Sequence, residues 1–233
     1  MNAIGDPMSQ LAMEGYYVGK QSDYFSHERR DILALLPEHF SRVFELGCGS
    51  GSTLRMIRSR FPVTFSAGLD IDKNSVQIAS RHIDLALYGN IETMDLPDAV
   101  RDIDVMLCLD VLEHLIDPWA VVRKLHKRLS ANGVIIASIP NIRYFRASIP
   151  FIFAGRWNLE DQGILDRTHL RFFVKKTAVE LMTSSGLYLQ EIKPTGMEPG
   201  RKARLANLLT LRLFEDFLAL QYLVRAGRTK PNY

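Results

Sequence analysis

The sequence has 233 residues, of which 47% are hydrophobic and 24% are charged. This is the composition of an ordinary globular protein and excludes a disordered or fibrous chain. At roughly 100 to 200 residues per domain, the length allows one large domain. Two cysteines are too few for a disulfide scaffold, so we expect a reducing, cytoplasmic location. The sequence shows neither a signal peptide nor an apolar run of about 18 residues, so we expect no membrane span.

The net charge of +3 is unevenly distributed. Residues 201–233 contain seven basic and two acidic side chains, which leaves the first 200 residues with a net charge of −2. A nucleic-acid enzyme usually carries basic residues across its main face, so we expect no nucleic-acid partner. We interpret the basic stretch around Arg201, Lys202, Arg204 and Arg212 as a packed helix, in a monomer or a homodimer.

Strand-like and helix-like segments alternate over the first 140 residues. Four short apolar runs at 42–46, 64–70, 104–110 and 134–138 are typical of buried strands. Apolar residues at helical spacing lie between them, over 76–87 and 119–129. Asn132-Gly133, just after the second of these segments, is typical of a helix C-terminus. This alternation predicts a parallel sheet covered on both faces, which places ligands at the carboxyl ends of its strands.

Residues 141–172 interrupt the alternation with a segment rich in aromatic and arginine side chains. An insertion after a strand of an α/β sheet is well placed to form a lid or a substrate pocket. Beyond it, the pattern predicts a helix over 177–185, a strand over 188–193, a helix over 202–217 and a last strand over 219–225.

A glycine-rich loop directly follows the first predicted strand. It reads Glu45-Leu-Gly47-Cys-Gly49-Ser-Gly51, and glycines let a backbone turn tightly and approach a ligand. The dinucleotide-binding signature needs a third glycine where this chain has Ser52, which disfavours a nicotinamide dehydrogenase. A carboxylate at the strand end instead suits a ligand that carries an amino group.

Asp70 ends the second predicted strand and is followed closely by Asp72. A carboxylate at this place can accept hydrogen bonds from both hydroxyls of a ribose. The alternative is that Asp70 merely ends a strand. For Asp72 or Asn74 we favour the simpler role of capping the next helix.

Two further motifs, Asp110-Val-Leu-Glu113-His114-Leu and Gly163-Ile-Leu-Asp166-Arg-Thr-His169-Leu-Arg171-Phe-Phe, complete the pattern. With the glycine loop and Asp70, the chain resembles the class I S-adenosylmethionine-dependent methyltransferases, in particular a bacterial small-molecule branch. The resemblance implies a Rossmann-like seven-stranded sheet with helices on both faces and the last strand antiparallel. It also implies cap helices over residues 1–40 and a cofactor-binding domain over 41–233.

The resemblance implies how S-adenosylmethionine would be held. The glycine loop would lie against its methionine part, and Asp70 and Ile71 against its ribose and adenine. Asn90 stands where the family commonly has an aspartate near the adenine amino group, and its amide oxygen can accept the same hydrogen bond. The cofactor-binding residues expected in this way are Arg29, Glu45, Gly47, Cys48, Gly49, Gly51, Asp70, Ile71, Asn90, Ile91 and Asp110, with Tyr24 and Arg29 in the closing N-terminal segment.

The catalytic residues are expected after the fourth strand and in the insertion, and we select Asp110 and His169. An imidazole titrates near neutral pH, so His169 suits a general base or a substrate ligand. The alternative is a hydrogen-bonded histidine that fastens the insertion to the core. Some O-methyltransferases acting on ribose or catechol-like quinone precursors are similar in holding a divalent metal with an acid, a Glu-His pair and a later histidine. Asp110, Glu113, His114 and His169 reproduce that set, although we favour a metal-free site in which Glu113 and His114 pack beneath the cofactor.

The expected substrate residues are His114, Tyr144, Trp157 and Arg171. The arginines of the insertion suit an acidic or aromatic small molecule, although salt bridges within the insertion explain at least half of them. We therefore predict transfer of a methyl group to an oxygen or nitrogen of a small molecule, such as a sugar, a secondary metabolite or a quinone-like acceptor. The alternative is a non-catalytic partner protein that keeps the cofactor fold and regulates another enzyme.

Overall fold

The computed structural model describes residues 28–196 and 214–231. Tyr24, most of the predicted N-terminal cap and the basic cluster at 201–212 lie outside these residues. Among the helices that the model describes, none combines the length and the apolar character needed to cross a bilayer.

Seven strands form one sheet in the order β3-β2-β1-β4-β5-β7-β6. β1 to β5 run parallel, whereas β7 is antiparallel to both of its neighbours, β5 and β6. The predicted Rossmann-like sheet with an antiparallel last strand is therefore confirmed. The strands are β1 (Arg42–Leu46), β2 (Phe65–Asp70), β3 (Leu85–Tyr88), β4 (Ile103–Leu109), β5 (Leu129–Pro140), β6 (Tyr188–Thr195) and β7 (Gln221–Gly227).

Helices connect the strands, and two of them begin at side-chain caps. Asp72 accepts a hydrogen bond from the Ser75 amide, and Asp117 accepts one from the Ala120 amide, with Pro118 at the first helical position. The helices are α1 (Ser52–Arg60), α2 (Lys73–Ala79), α3 (Pro118–His126), α4 (Phe145–Ala154), α5 (Lys175–Thr183) and α6 (Glu215–Leu218), with 3-10 helices at Arg30–Leu35 and Leu112–His114.

Successive strand residues face opposite sides of the sheet, and both sides are covered. Phe44 and Met106 point into a core that contains residues of α3 and α5. Val43 and Val105 point into a second core, with α1, Ala79 of α2 and the 3-10 helix at Arg30–Leu35. Burial on both faces explains why these strands read as unbroken apolar runs.

Three segments differ from the sequence prediction. The helix expected over 76–87 ends at Ala79, and its last apolar positions belong to the short strand β3. Asn132-Gly133 lies inside β5 and is not a helix stop, because β5 pairs with β4 there with an irregular register. The insertion has more regular structure than its pattern indicated, since it contains the ten-residue helix α4.

Candidate active site

A cavity of about 780 Å³ opens at the carboxyl ends of the parallel strands. The strand order reverses between β1 and β4, so the loops that follow these two strands separate and leave a crevice. The volume lies in the range of small-molecule and cofactor sites. The predicted site residues that line it are Arg29, Glu45, Gly47, Cys48, Gly49, Asp70, Ile71, Asn90, Ile91, Asp110, His114 and His169.

The glycine loop lies at the floor of this cavity in a conformation that other residues rarely adopt. Gly47, Gly49 and Gly51 have φ angles of +71°, +50° and +77°, in the left-handed region where a Cβ is disfavoured. A Cβ on Gly47 would also lie 3.3 Å from Val111. Gly51 is the N-cap of α1 and faces Ala79 of α2, and it does not line the cavity, so its contact with a cofactor stays a prediction.

Glu45 is a buried carboxyl group at the end of β1, only 3% exposed. Its Oε2 atom has no hydrogen-bond partner among the described residues. Burial raises the pKa of this carboxyl to about 8, against the opposing charge of Arg29. A buried acceptor oxygen without a partner is costly, and a ligand that donates a hydrogen bond here would remove that cost.

Asp70 lies across the glycine loop from Glu45. Its Oδ2 accepts a hydrogen bond from the Gly49 amide at 2.7 Å, and its Oδ1 accepts one from the Asp72 amide at 2.9 Å. Burial raises its pKa, and the two backbone hydrogen bonds oppose that shift. Each oxygen keeps a second lone pair, so the carboxylate can still accept hydrogen bonds from a ligand.

The loop 89–94 forms one wall of the cavity and is held from outside. Asn90 accepts a hydrogen bond from the Glu92 amide at 2.8 Å, which turns the backbone. The Lys124 ammonium group on α3 donates to the carbonyls of Ile91 and Met94, at 2.7 and 2.8 Å. Lys124 therefore positions the wall that contains Asn90 and Ile91, without lining the cavity itself.

Arg29 and Asp110 meet at the mouth of the cavity. The Arg29 guanidinium forms an ion pair with Asp110 and another with Asp31, the latter at 2.9 Å. The other oxygen of Asp110 accepts hydrogen bonds from Ser138 at 2.8 Å and from Gln221 at 2.9 Å. Asp110 is thus held by three elements at the end of β4, in a left-handed conformation with a φ of +53°.

Glu113, His114 and His169 form a cluster in another part of the cavity wall. One potential ligand atom from each lies within 4.8 Å of the others, and Nε2 of His169 is 3.9 Å from Oε1 of Glu113. Glu113 is 1% exposed, and neither of its carboxyl oxygens has a hydrogen-bond partner among the described residues. Burial, reinforced by the charge of Asp110, raises the pKa of Glu113 well above its ordinary value.

Backbone carbonyls fix both imidazoles of the cluster. Nδ1 of His114 is 3.1 Å from the Thr168 carbonyl, and Nδ1 of His169 is 2.9 Å from the Ile164 carbonyl. A carbonyl only accepts, so each Nδ1 carries a proton, and in a neutral ring Nε2 is then the acceptor nitrogen. The second motif is also docked on the first, since the Leu170 and Arg171 amides donate to the Glu113 carbonyl. Fastening the insertion and presenting an imidazole are therefore compatible roles for His169.

Three expected substrate residues lie outside the cavity wall. Tyr144 is buried in a small cluster with Ala147 and Ile164. Trp157 is 39% exposed and packs on Phe172. Arg171 donates to the Ile116 carbonyl. Of the expected substrate residues, His114 alone lines this cavity, and the roles of the other three stay predictions.

Several residues of the site were not anticipated from the sequence. Gln221, at the start of β7, lines the cavity and binds Asp110. Tyr88, at the end of β3, also lines the cavity and is 51% exposed. A polar side chain at a strand end is the pattern that identifies such residues. The pattern does not identify Tyr88, because the sequence predicts a helix where β3 lies.

Known proteins support the class that the fold and site indicate. A family model described as a methyltransferase domain matches residues 44–135. Solved structures of S-adenosylmethionine-dependent methyltransferases from Mesorhizobium loti and Archaeoglobus fulgidus share the fold. The Mesorhizobium loti structure has a TM-score of 0.57 at 19% identity, and the match covers 85% of this chain and 96% of that protein. The Archaeoglobus fulgidus structure has a TM-score of 0.60 at 16% identity, and the match covers 95% of this chain and 100% of that protein. Residues 44–135 thus match a methyltransferase domain, and the chain shares the fold of S-adenosylmethionine-dependent methyltransferases.

Two curated methyltransferases are similar to this chain in sequence. A ubiquinone biosynthesis O-methyltransferase of Neisseria meningitidis is 32% identical over 106 residues, which are 43% of this chain and 44% of that protein. A trans-aconitate 2-methyltransferase of Rhizobium etli is 25% identical over 95% of this chain and 92% of its own length. The chain thus spans less than half of the first relative and nearly all of the second.

Proposed function

We propose that the protein transfers a methyl group from S-adenosylmethionine to an oxygen or nitrogen of a small molecule. The observation that carries this proposal is the pair of acidic groups at the glycine loop, Glu45 and Asp70, on the wall of a cavity of cofactor size. Similarity to two small-molecule methyltransferases, one named as an O-methyltransferase, supports an oxygen acceptor. A sugar, a secondary metabolite or a quinone-like ring is the acceptor class that we propose.

The residues present fit the cofactor. The unpartnered Oε2 of Glu45 suits its ammonium group, and the two oxygens of Asp70 suit its ribose hydroxyls. Tyr88, Asn90 and Ile91 would line the adenine site. Arg29 is already paired with Asp110 and Asp31, so contact with the cofactor carboxylate requires that it exchange partners or bind both. When bound, the cofactor would supply a methyl group on a sulfonium centre, and its neutral thioether would be the leaving group.

The remaining tasks belong to the protein: to align the acceptor, exclude water and remove a proton from the acceptor where needed. His169 presents Nε2 as an acceptor nitrogen because its Nδ1 proton is held by the Ile164 carbonyl. We assign proton removal to this atom. Oε1 of Glu113 lies 3.9 Å from this atom. Asp110 would orient the acceptor through its exposed edge.

The cluster of Glu113, His114 and His169 favours a second arrangement of the same reaction. Histidines that bind a metal commonly donate a hydrogen bond from their other ring N–H to a carbonyl. Nδ1 of each imidazole in the cluster makes such a contact. A divalent ion held by these three side chains would position a hydroxyl oxygen of the acceptor. Full activity in chelator, together with metal analysis that finds no ion in the purified protein, would exclude it.

Replacing His169 tests the catalytic assignment. We expect His169→Ala to lower turnover by about 10² to 10⁴-fold, the usual contribution of a general base, with unchanged affinity for S-adenosylhomocysteine. The measurement is transfer of labelled methyl from S-adenosylmethionine to small-molecule acceptors. His126→Ala is the matched control, because His126 also binds a backbone carbonyl but lies outside the cavity. Unchanged turnover in His169→Ala would remove this residue from the catalytic list.

Fold alone does not establish methyl transfer, since the cyclase SpnF has a similar structure. Its TM-score is 0.53 at 14% identity, and the match covers 91% of this chain and 81% of SpnF. A non-catalytic partner protein is the competing function. Failure to bind S-adenosylmethionine in calorimetry would favour that partner. We further propose a cytoplasmic enzyme that acts as a monomer or a homodimer, with no nucleic-acid partner.

A further inference from the structure

Two buried carboxyl groups in the cavity wall have oxygens without a hydrogen-bond partner among the described residues. They are Glu45, through its Oε2, and Glu113, through both of its carboxyl oxygens. The cofactor has a single ammonium group, which the proposed function assigns to Glu45, and its ribose hydroxyls are assigned to Asp70. Glu113 is therefore left without a donor once the cofactor is placed.

The fold holds Glu113 in the cavity wall and away from water. Its side chain is 1% exposed and lies in the 3-10 helix Leu112–His114. Its backbone carbonyl accepts hydrogen bonds from the Leu170 and Arg171 amides. Nε2 of His169 is 3.9 Å from Oε1 of Glu113, beyond hydrogen-bond distance. Two buried acceptor oxygens without a donor cost free energy, so a ligand that supplies a donor would stabilise this arrangement.

The described part of the cavity wall is predominantly acidic. It contains one arginine, Arg29, and six acidic residues, which are Glu45, Asp70, Glu92, Asp110, Glu113 and Asp166. Arg29 already forms ion pairs with Asp31 and Asp110. Arg29 and the single net positive charge of bound S-adenosylmethionine do not balance these acids.

The arginines of the insertion do not change this charge. The sequence suggests that they receive an acidic acceptor, but none of them is among the described residues that line the cavity. An anionic acceptor would therefore be repelled by the wall. A cleft lined by one sign of charge instead concentrates ligands of the opposite sign.

We propose that the methyl acceptor is an amine-bearing small molecule and that Glu113 binds its ammonium group. An ammonium group carries several N–H donors, and its hydrogen bond to a carboxylate is stronger than that of a neutral donor. A neutral hydroxyl also donates, but it leaves the charge of the wall uncompensated. This inference rests on the proposed function and narrows its acceptor class. The methylated atom remains an oxygen or nitrogen of the acceptor.

Three phenols that share one ring and differ in the charge of the side chain test the proposal. Tyramine carries an ammonium group, tyrosol a neutral hydroxyl and 4-hydroxyphenylacetate a carboxylate. Each is titrated near neutral pH, with chelator present, into the full chain loaded with S-adenosylhomocysteine, and binding is followed by ligand-observed NMR. We expect tyramine to bind about tenfold more tightly than tyrosol, and 4-hydroxyphenylacetate to bind most weakly.

Replacing Glu113 tests the assignment of the ammonium site. Glu113→Gln keeps the shape of the side chain and removes its charge, so the preference for tyramine over tyrosol should disappear. Its affinity for S-adenosylhomocysteine should stay unchanged, which also shows that the variant is folded. Glu180→Gln is the matched control, an exposed change on α5 that should keep the preference. If Glu113→Gln does not fold, the order of the wild-type affinities decides.

The proposal is overturned if tyrosol or 4-hydroxyphenylacetate binds as tightly as tyramine, if none of the three binds, or if folded Glu113→Gln keeps the preference. It is also overturned if metal analysis finds an ion and tyramine binds only without chelator, because a metal would then occupy Glu113. Failure of the wild type to bind S-adenosylhomocysteine would instead contradict the proposed function. The three phenols, titrated into the unloaded protein, would still test Glu113.

Discussion

At the scale of single residues, Glu45 is the group whose ionisation reports most directly on the cofactor. Its pKa of about 8 means that most of the ligand-free protein carries a neutral carboxyl at pH 7. Because its pKa is raised above the ordinary value of 4.5, the native state holds a proton that the unfolded chain loses between these values. Stability of the ligand-free protein therefore falls as pH rises through this window.

An ammonium group bound beside Glu45 would restore its ionised form. We expect binding of S-adenosylhomocysteine at pH 7 to release close to one proton from this carboxyl, measured by calorimetry in buffers of different ionisation enthalpy. Glu45→Gln should lose this release and bind about tenfold more weakly. Glu180→Gln, an exposed change on α5, is the control. Equal proton release by wild type and Glu45→Gln would contradict the role of Glu45.

At the scale of elements, the wall formed by loop 89–94 depends on a helix that does not reach the cavity. Lys124 on α3 donates hydrogen bonds to the carbonyls of Ile91 and Met94 in this loop, which also contains Asn90. Hydrogen bonds to a charged group contribute roughly 1.5 to 3 kcal/mol each where they are well shielded from water. Loss of both should loosen the wall more than the whole fold, because the apolar residues of α3 stay packed in their core.

Lys124→Met tests this coupling. We expect affinity for S-adenosylhomocysteine to fall about tenfold, with a smaller loss in the free energy of unfolding. Lys127→Met, at the exposed C-cap of the same helix, should change neither. The measurements are calorimetry and urea denaturation. If Lys124→Met and Lys127→Met lost the same affinity for S-adenosylhomocysteine, the loss would not come from the hydrogen bonds of Lys124 to the loop.

The sequence could predict those strands whose residues are buried on both faces of the sheet. The runs at β1, β2, β4 and β5 are apolar on both faces, so their pattern is unambiguous. β3 has only four residues, and its Leu87 continues the helical spacing of Val76 and Ala79, so local periodicity favoured the wrong element. Gly133 lies in the irregular stretch of β5 just before pairing with β4 resumes at Val134, and a Cβ there would lie 2.6 Å from the Ile103 carbonyl oxygen.

The site was predictable to the extent that its residues directly follow strands. Glu45, Asp70 and Asp110 each end or follow a recognisable strand, and the cavity brings all three together. Gln221 lines the cavity from an antiparallel strand, and Lys124 supports the cavity wall from the side of a helix. Their roles depend on packing between distant segments, which periodicity in one sequence does not encode.

At the scale of the whole molecule, the topology explains why the candidate site lies at one edge of the sheet. The reversal of strand order between β1 and β4 opens a crevice, and the insertion after β5 closes one side of it with the motif that contains His169. The antiparallel β7 contributes Gln221 to the same edge. The proposed cofactor and catalytic residues thus come from different loops around this cavity.

The central claim is that this cavity binds S-adenosylmethionine, and titration calorimetry of the full chain with S-adenosylhomocysteine tests it most directly. We predict saturable one-to-one binding, a matching rise in Tm, and loss of both in Asp70→Ala. Asp161→Ala, on the exposed insertion, should bind as the wild type does. A folded wild-type protein that gives neither binding heat nor a shift in Tm would contradict the account.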